Sequence, residues 1–207
     1  MAAIKRTPIV ETTEPTGAPL AEEAGWLVAM PVAHDSSRLV LADESHYGKL
    51  LIHGRAGGRA VAALGLSVPP EVGSSTGDSQ LRAYVLRPDQ LFISTAPGGE
   101  AAALTALLAT PADEMLTVTD VTHGRAQLRL SGPRATEVLS RLCGLDIDDA
   151  HFPNGTALQT SVAKTTQLVI RDDLADGRPS YRLIGARSLG AYLWATLLEA
   201  GERAARH

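Results

Sequence analysis

The chain of 207 residues has length for one large domain or two small ones, and at that size folding buries roughly 70% of the unfolded surface without a staple. A net charge of −4 with scattered basic residues argues against nucleic-acid binding, and the single cysteine, Cys143, excludes an internal disulfide and a cysteine-ligated metal cluster. No apolar run approaches the ~20 residues of a membrane span, and MAAIKRTPIVETTEPTG lacks the apolar stretch of a secretory signal, so a cytoplasmic protein without membrane contact is expected.

Residues 1–23 hold Pro8, Pro15 and Pro19 among Thr, Glu and Ala, which predicts an extended N-terminal arm without a helix. Its one apolar cluster, Ile9-Val10, is expected to order mainly on a partner chain. Residues 24–207 are expected to form a single domain with a first half at 24–110 and a second at 111–207. In the first half, WLVAMPV from Trp26 and RLVLAD from Arg38 read as strands separated by the turn residues AHDSS, and KLLIHG gives a third. Behind Gly54, the spacing of Ala60, Val61 and Leu64 predicts a helix stopped by Pro69 and Pro70. The polar loop GSSTGDSQ leads to RAYVLR and QLFIST, a hairpin around Pro88-Asp89, and a helix over Glu100–Leu108 closes the half.

The second half repeats this order with MLTVTDV, AQLRLS, a helix, a loop at HFPNG with a turn at Asn154-Gly155, strands QLVIR and YRLIGA, and a last helix. Pro133 is placed to open the first of these helices, and Ala135, Val138, Leu139, Leu142 and Cys143 form one apolar stripe, so the thiol is read as a core group. In the last helix Ser188 is read as N-cap, with a stripe of Leu189, Leu193, Thr196, Leu197 and Ala200. Asp43 and Asp120 lie 77 residues apart, Gly54 and Gly132 lie 78 apart, and His46 faces His123. The predicted class is therefore α+β, a pseudo-twofold duplication of a strand-strand-helix-strand-strand-helix unit.

Each copy carries a carboxylate, a hydroxyl and an imidazole, as Asp43-Ser45-His46 and Asp120-Thr122-His123. Neighbouring side chains of an extended segment point to opposite faces, so Thr122 and His123 make a poor nucleophile-base pair, and a turn or capping role is favoured for Asp120 and Thr122. The histidines at 34, 46, 53, 123, 151 and 207 show neither HExxH nor close pairing with carboxylates, so no metal site is expected. GRAGGRA from Gly54 lacks both the Lys-Ser/Thr of a phosphate loop and the third glycine of a dinucleotide fingerprint. Arg87, Arg171 and Arg187 stand at strand ends, where a guanidinium could clamp a carboxylate. No catalytic set emerges.

The segments TDVTHGRAQLRLSGPRATEVLSRLCGLDID, HFPNGTALQTSVAKTTQLVIR and YRLIGARSLGAYLWATLLEAG resemble the sarcosine oxidase gamma subunit family, within the folate-binding aminomethyltransferase (glycine-cleavage T-protein) superfamily. LADESHYGKLLIHG and LRPDQLFIST are similar to its first half, although Arg87–Leu91 lacks the Gly, Glu and Trp of the G-P-D-E-W-L signature. Leu81 and Arg82 stand where true aminomethyltransferases carry an acidic pair. The resemblance implies an aminomethyltransferase folate-binding-domain-like fold and a noncatalytic subunit that binds no cofactor itself. Its partners would be the alpha, beta and delta subunits, of which alpha and beta would hold FAD, FMN, NAD and tetrahydrofolate and delta zinc, in a complex that oxidatively demethylates sarcosine and passes the one-carbon unit to folate. The other reading is a free-standing folate-binding protein or one-carbon transferase, with Asp120, His123 and Arg171 as its folate or carboxylate ligands.

Overall fold

The computed structural model describes residues 4–34, 39–55, 57–67, 71–109 and 115–206. These fall into two compact units, the first built from Met1–His46 with Gly124–His207 and the second from Tyr47–His123. In chain order, the first unit opens with β1 (Lys5–Arg6), α1 (Val10–Thr13), β2 (Leu20–Glu23), β3 (Trp26–Ala29), β4 (Val32–His34) and β5 (Leu39–Asp43). The second unit holds β6 (Gly48–His53), α2 (Gly57–Val61), β7 (Ser75–Gly77), β8 (Leu81–Arg87), β9 (Gln90–Thr95), α3 (Glu100–Leu108) and β10 (Thr117–Asp120). The chain then returns to the first unit with β11 (Arg125–Ser131), α4 (Ala135–Ser140), β12 (Ala157–Val162), β13 (Thr165–Arg171), β14 (Ser180–Ala186) and α5 (Gly190–Ala205).

In the first unit a six-stranded antiparallel sheet runs β12-β13-β14-β11-β5-β4, beside a small sheet of β1-β3-β2. Alternation along β11 sends Ala126, Leu128 and Leu130 to one face and Gln127, Arg129 and Ser131 to the other. The apolar face joins Leu39, Leu41, Val169, Tyr181 and Leu183 under α4 and α5, which contribute Val138, Leu139, Leu193, Trp194 and Leu197. Each such aliphatic side chain, fully buried, stabilises by roughly 1.5 to 3 kcal/mol. In the second unit an antiparallel sheet runs β10-β6-β9-β8-β7, and Leu50, Ile52, Ala83, Val85 and Ile93 pack under Ala60 and Val61 of α2 and Ala103 and Leu107 of α3. Gly54 and Gly132 both sit at strand-to-helix turns with φ of 131° and 117°. A side chain at Gly54 would also meet the Met115 carbonyl at 2.3 Å.

Several expectations give way here. The first 23 residues are not an extended arm, since Val10–Thr13 form a helical turn, a 3-10 turn follows at Glu14–Thr16, and Ile9 and Val10 are fully buried. Pro8 precedes that turn and Pro15 occupies the start of the next, the places where a missing N–H costs nothing. The units do not divide near residue 110, because β5 pairs with β11 and β10 pairs with β6, so each sheet takes a strand from the other half. Part of the GSSTGDSQ loop is strand β7. The α4 helix starts at Ala135 rather than Pro133, and α5 is preceded by a 3-10 turn over Arg187–Leu189, so Ser188 is not its N-cap. Leu189 is exposed, and Trp194 takes its place in the buried stripe. The turn at 35–38 and the Pro69-Pro70 stop lie outside the described residues.

Candidate functional site

The polar face of the six-stranded sheet gathers a buried charged cluster of four side chains. Arg129 and Arg182 are directly opposed across β11 and β14, an unfavourable pairing unless anions lie between them. Glu44, which follows β5, supplies one. Its carboxylate receives Arg129 Nε, Arg182 Nε at 3.1 Å and Gln127 Nε2 at 3.0 Å. Asp172 supplies the other, with Oδ2 at 3.2 Å from Arg129 Nη2 and 2.9 Å from Arg182 Nη2. Arg129 Nη1 also donates to Ser180 Oγ at 2.8 Å. Burial would push the Glu44 carboxyl up, but the two guanidiniums and the hydrogen bonds from Gln127 and Arg129 outweigh it and hold the group below its ordinary value. Two cations meet two anions here, so the cluster is balanced, and its carboxylates are engaged as ion-pair partners rather than poised as a base.

The Asp-x-Ser/Thr motifs perform one task in both units. Asp43 Oδ1 accepts the Ser45 N–H at 3.0 Å, and Ser45 Oγ accepts the Gln127 N–H at 3.1 Å while donating to the Gln127 carbonyl at 3.3 Å. Asp120 Oδ1 likewise accepts the Thr122 N–H at 2.8 Å, and Thr122 Oγ1 accepts the Lys49 N–H at 2.9 Å and donates to the Lys49 carbonyl at 3.4 Å. The carboxylate shapes the turn, and the hydroxyl ties it to the neighbouring strand. Asp43 is further held by Thr7 Oγ1. Thr122 is buried and His123 exposed, and both lie in the turn between β10 and β11 rather than on the extended segment that the sequence suggested.

Arg171 belongs to the first unit, and Asp120 and His123 to the second. Its buried guanidinium bonds Asp173 through Nε at 3.0 Å, Asp149 through Nη1 at 2.6 Å and the Phe152 carbonyl at 3.0 Å, and it lies 6.0 Å from the Tyr181 ring centroid. It fastens the loop before β12 to the sheet. Arg187 donates to the Arg6 carbonyl at 2.8 Å, and Arg87 is exposed at the end of β8.

The absence of close histidine-carboxylate pairs is corrected. His46 Nε2, buried, lies 3.0 Å from Glu23 Oε2 though out of line for a hydrogen bond. His151 Nδ1 lies 2.9 Å from Asp148 Oδ1 and 3.2 Å from Asp146 Oδ2, which raises its pKa through the Asp148 hydrogen bond first and the two charges after it. The exposed ligand atoms of Asp146, Asp148 and His151 all fall within 4.8 Å of one another. The sequence reading missed Glu44, Arg129, Arg182 and Asp172. The signal was present in RAQLRLS, whose polar residues fall at every second position of a strand otherwise rich in core residues.

The mixed α+β fold, with helices packed on antiparallel sheets, is shared with an aminomethyltransferase. The glycine cleavage aminomethyltransferase T of Bartonella henselae superposes with a TM-score of 0.74 over 94% of this chain and 57% of its own, at 19% identity. The chain belongs to the GCVT N-terminal domain family, which matches residues 71–206. Within it the chain is similar to sarcosine oxidase gamma subunits: it is 34% identical over 133 residues to that of an Arthrobacter species, a match covering 63% of this chain and 64% of the relative's length. A chain of the heterotetrameric sarcosine oxidase from Corynebacterium sp. U-96, in complex with pyrrole 2-carboxylate, superposes with a TM-score of 0.76 at 25% identity, covering 96% of this chain and 95% of that one.

Proposed function

We propose that this chain is a noncatalytic gamma-type subunit of a sarcosine-oxidase-type complex, which demethylates sarcosine oxidatively and passes the one-carbon unit to tetrahydrofolate. The observation that carries this reading is the near end-to-end likeness to a chain of the heterotetrameric enzyme. The occupied state of the chain's own polar groups agrees with it, because Asp120 and Arg171 are engaged in holding a turn and a loop. In this reading FAD, FMN, NAD and tetrahydrofolate belong to the alpha and beta partners and zinc to delta. The test is reconstitution of the full chain with those subunits from the same source. A stoichiometric complex that oxidises sarcosine is expected, with no turnover and no folate binding by the chain alone. Intrinsic turnover lost in His123→Ala would overturn the assignment in favour of a one-carbon transferase.

We further infer that the chain is a duplicated unit in which the two copies have exchanged their first strands. Matching β10-β6-β9-β8-β7 to β5-β11-β14-β13-β12 pairs every strand in the same order and orientation, and α2 and α3 follow the same strands as α4 and α5. The repeated Asp-x-Ser/Thr tie supports this reading.

A further inference from the structure

The first unit's sheet has one strand more than the second's. Outside β5 lies β4, antiparallel, with Val32 opposite Leu41 and Ala33 opposite Val40. Val32 packs on the core, and α5 lies against both β4 and β5. In the second unit β10 corresponds to β5, and among the described residues no strand pairs with its outer side. The bond from Val121 N to the Lys49 carbonyl sets the alternation: Thr117 and Thr119 direct their main-chain groups to β6, whereas Val118 and Asp120 direct theirs away. The two most exposed large apolar residues of the described chain precede this strand, one on the helix packed against it and one at its entrance. Leu108, at 66% exposure, ends the helix α3 that packs on β10, and Met115, at 88%, lies just before the strand. The strand carries no lysine, proline or bulge of the kind that guards sheet edges.

We propose that the outer side of β10 is a docking edge, completed by an extended segment of a partner subunit that adds antiparallel to Thr117–Asp120 as a sixth strand. The segment's chemistry follows from the edge. An aliphatic residue opposite Val118 would do for α3 and Leu108 what Val32 does for α5. A basic residue two positions away would face the exposed Asp120 carboxylate, which has no basic neighbour in β10 itself. The proposal rests on the subunit reading and on the duplication.

Amide exchange on the full chain, alone and reconstituted with sarcosine oxidase alpha, beta and delta subunits, separates the possibilities. The Val118 and Asp120 amides should exchange rapidly in the isolated chain and slow at least about tenfold in the complex. Val118→Pro, which removes an outward N–H and no bond to β6, should weaken association at least about tenfold. Leu108→Glu, at a solvent-facing site that leaves folding intact, should do the same. A complex that forms while both amides stay fast, or that tolerates Leu108→Glu, overturns the docking edge and leaves the subunit assignment standing. A homodimer of the isolated chain that protects the same amides overturns the partner segment in favour of a second copy. Failure to form any complex overturns both readings.

Discussion

Glu44 shows how much of this protein's polarity is spent internally. Its carboxylate lies between two guanidiniums of adjacent strands, and Glu44→Ala would leave Arg129 and Arg182 opposed with only Asp172 to share. A loss of about 3 kcal/mol is expected, the low end for breaking a buried pair, measurable by urea unfolding at neutral pH. The pH dependence follows from the sign of the shift. The carboxyl is held below its ordinary value of 4.5 in the folded state, so its contribution is complete above that pH and is lost as pH falls through the lower folded value. The wild type should therefore lose stability below about pH 4.5 faster than Glu44→Gln does. The roles of Asp120 and Thr122 could be read from sequence because a carboxylate two residues before a hydroxyl closes a local turn. The role of Glu44 could not, since its partners are 85 and 138 positions away.

Local patterns placed the longer core strands and the four helices α2 to α5, because alternation and helical spacing are set by which face is buried; they missed β1, β2, β7, β12 and α1 and ran β3 and β4 together. They failed at boundaries, where unsatisfied backbone groups decide. Arg187–Leu189 closes as a 3-10 turn before α5, and no side-chain cap forms there. The hairpin between β12 and β13 shows a similar override. Its turn residues Ala163 and Lys164 both adopt left-handed conformations, φ 49° and 63°, which favour Asn-Gly. The turn is held in place by the Tyr192 hydroxyl on the Ala163 carbonyl at 3.0 Å and by the Ala163 N–H on the Leu142 carbonyl at 2.9 Å. Lys164 is exposed, so Lys164→Gly relieves the backbone without disturbing the core. A gain of about 0.5 kcal/mol is expected, the left-handed penalty less the added unfolded-state entropy of glycine, read as a rise of about 1 to 2 °C in Tm.

At the scale of the whole molecule, the N-terminal segment is a structural part of the first unit. β1 pairs in parallel with β3, Ile9 enters the core, and Thr7 reaches Asp43. Removing residues 1–16 should cost at least about 3 kcal/mol from the burial of Ile9 and Val10 alone, seen as a lower urea midpoint; an unchanged midpoint would show that the segment is dispensable. Composition misled here because two aliphatic residues among prolines look too few to order an arm, while the deciding contacts come from distant strands. The strand pairing also governs how the protein must be made. The second unit is continuous in the chain, but β5 finds β11 only after about 80 further residues have been added. At ribosomal rates of about 5 to 20 residues per second, that is roughly 4 to 16 s during which β5 has only β4 beside it and its β11 side stays open. The unit inserted in the middle is therefore expected to complete its sheet first during synthesis, while the sheet edge left open on β5 waits for β11.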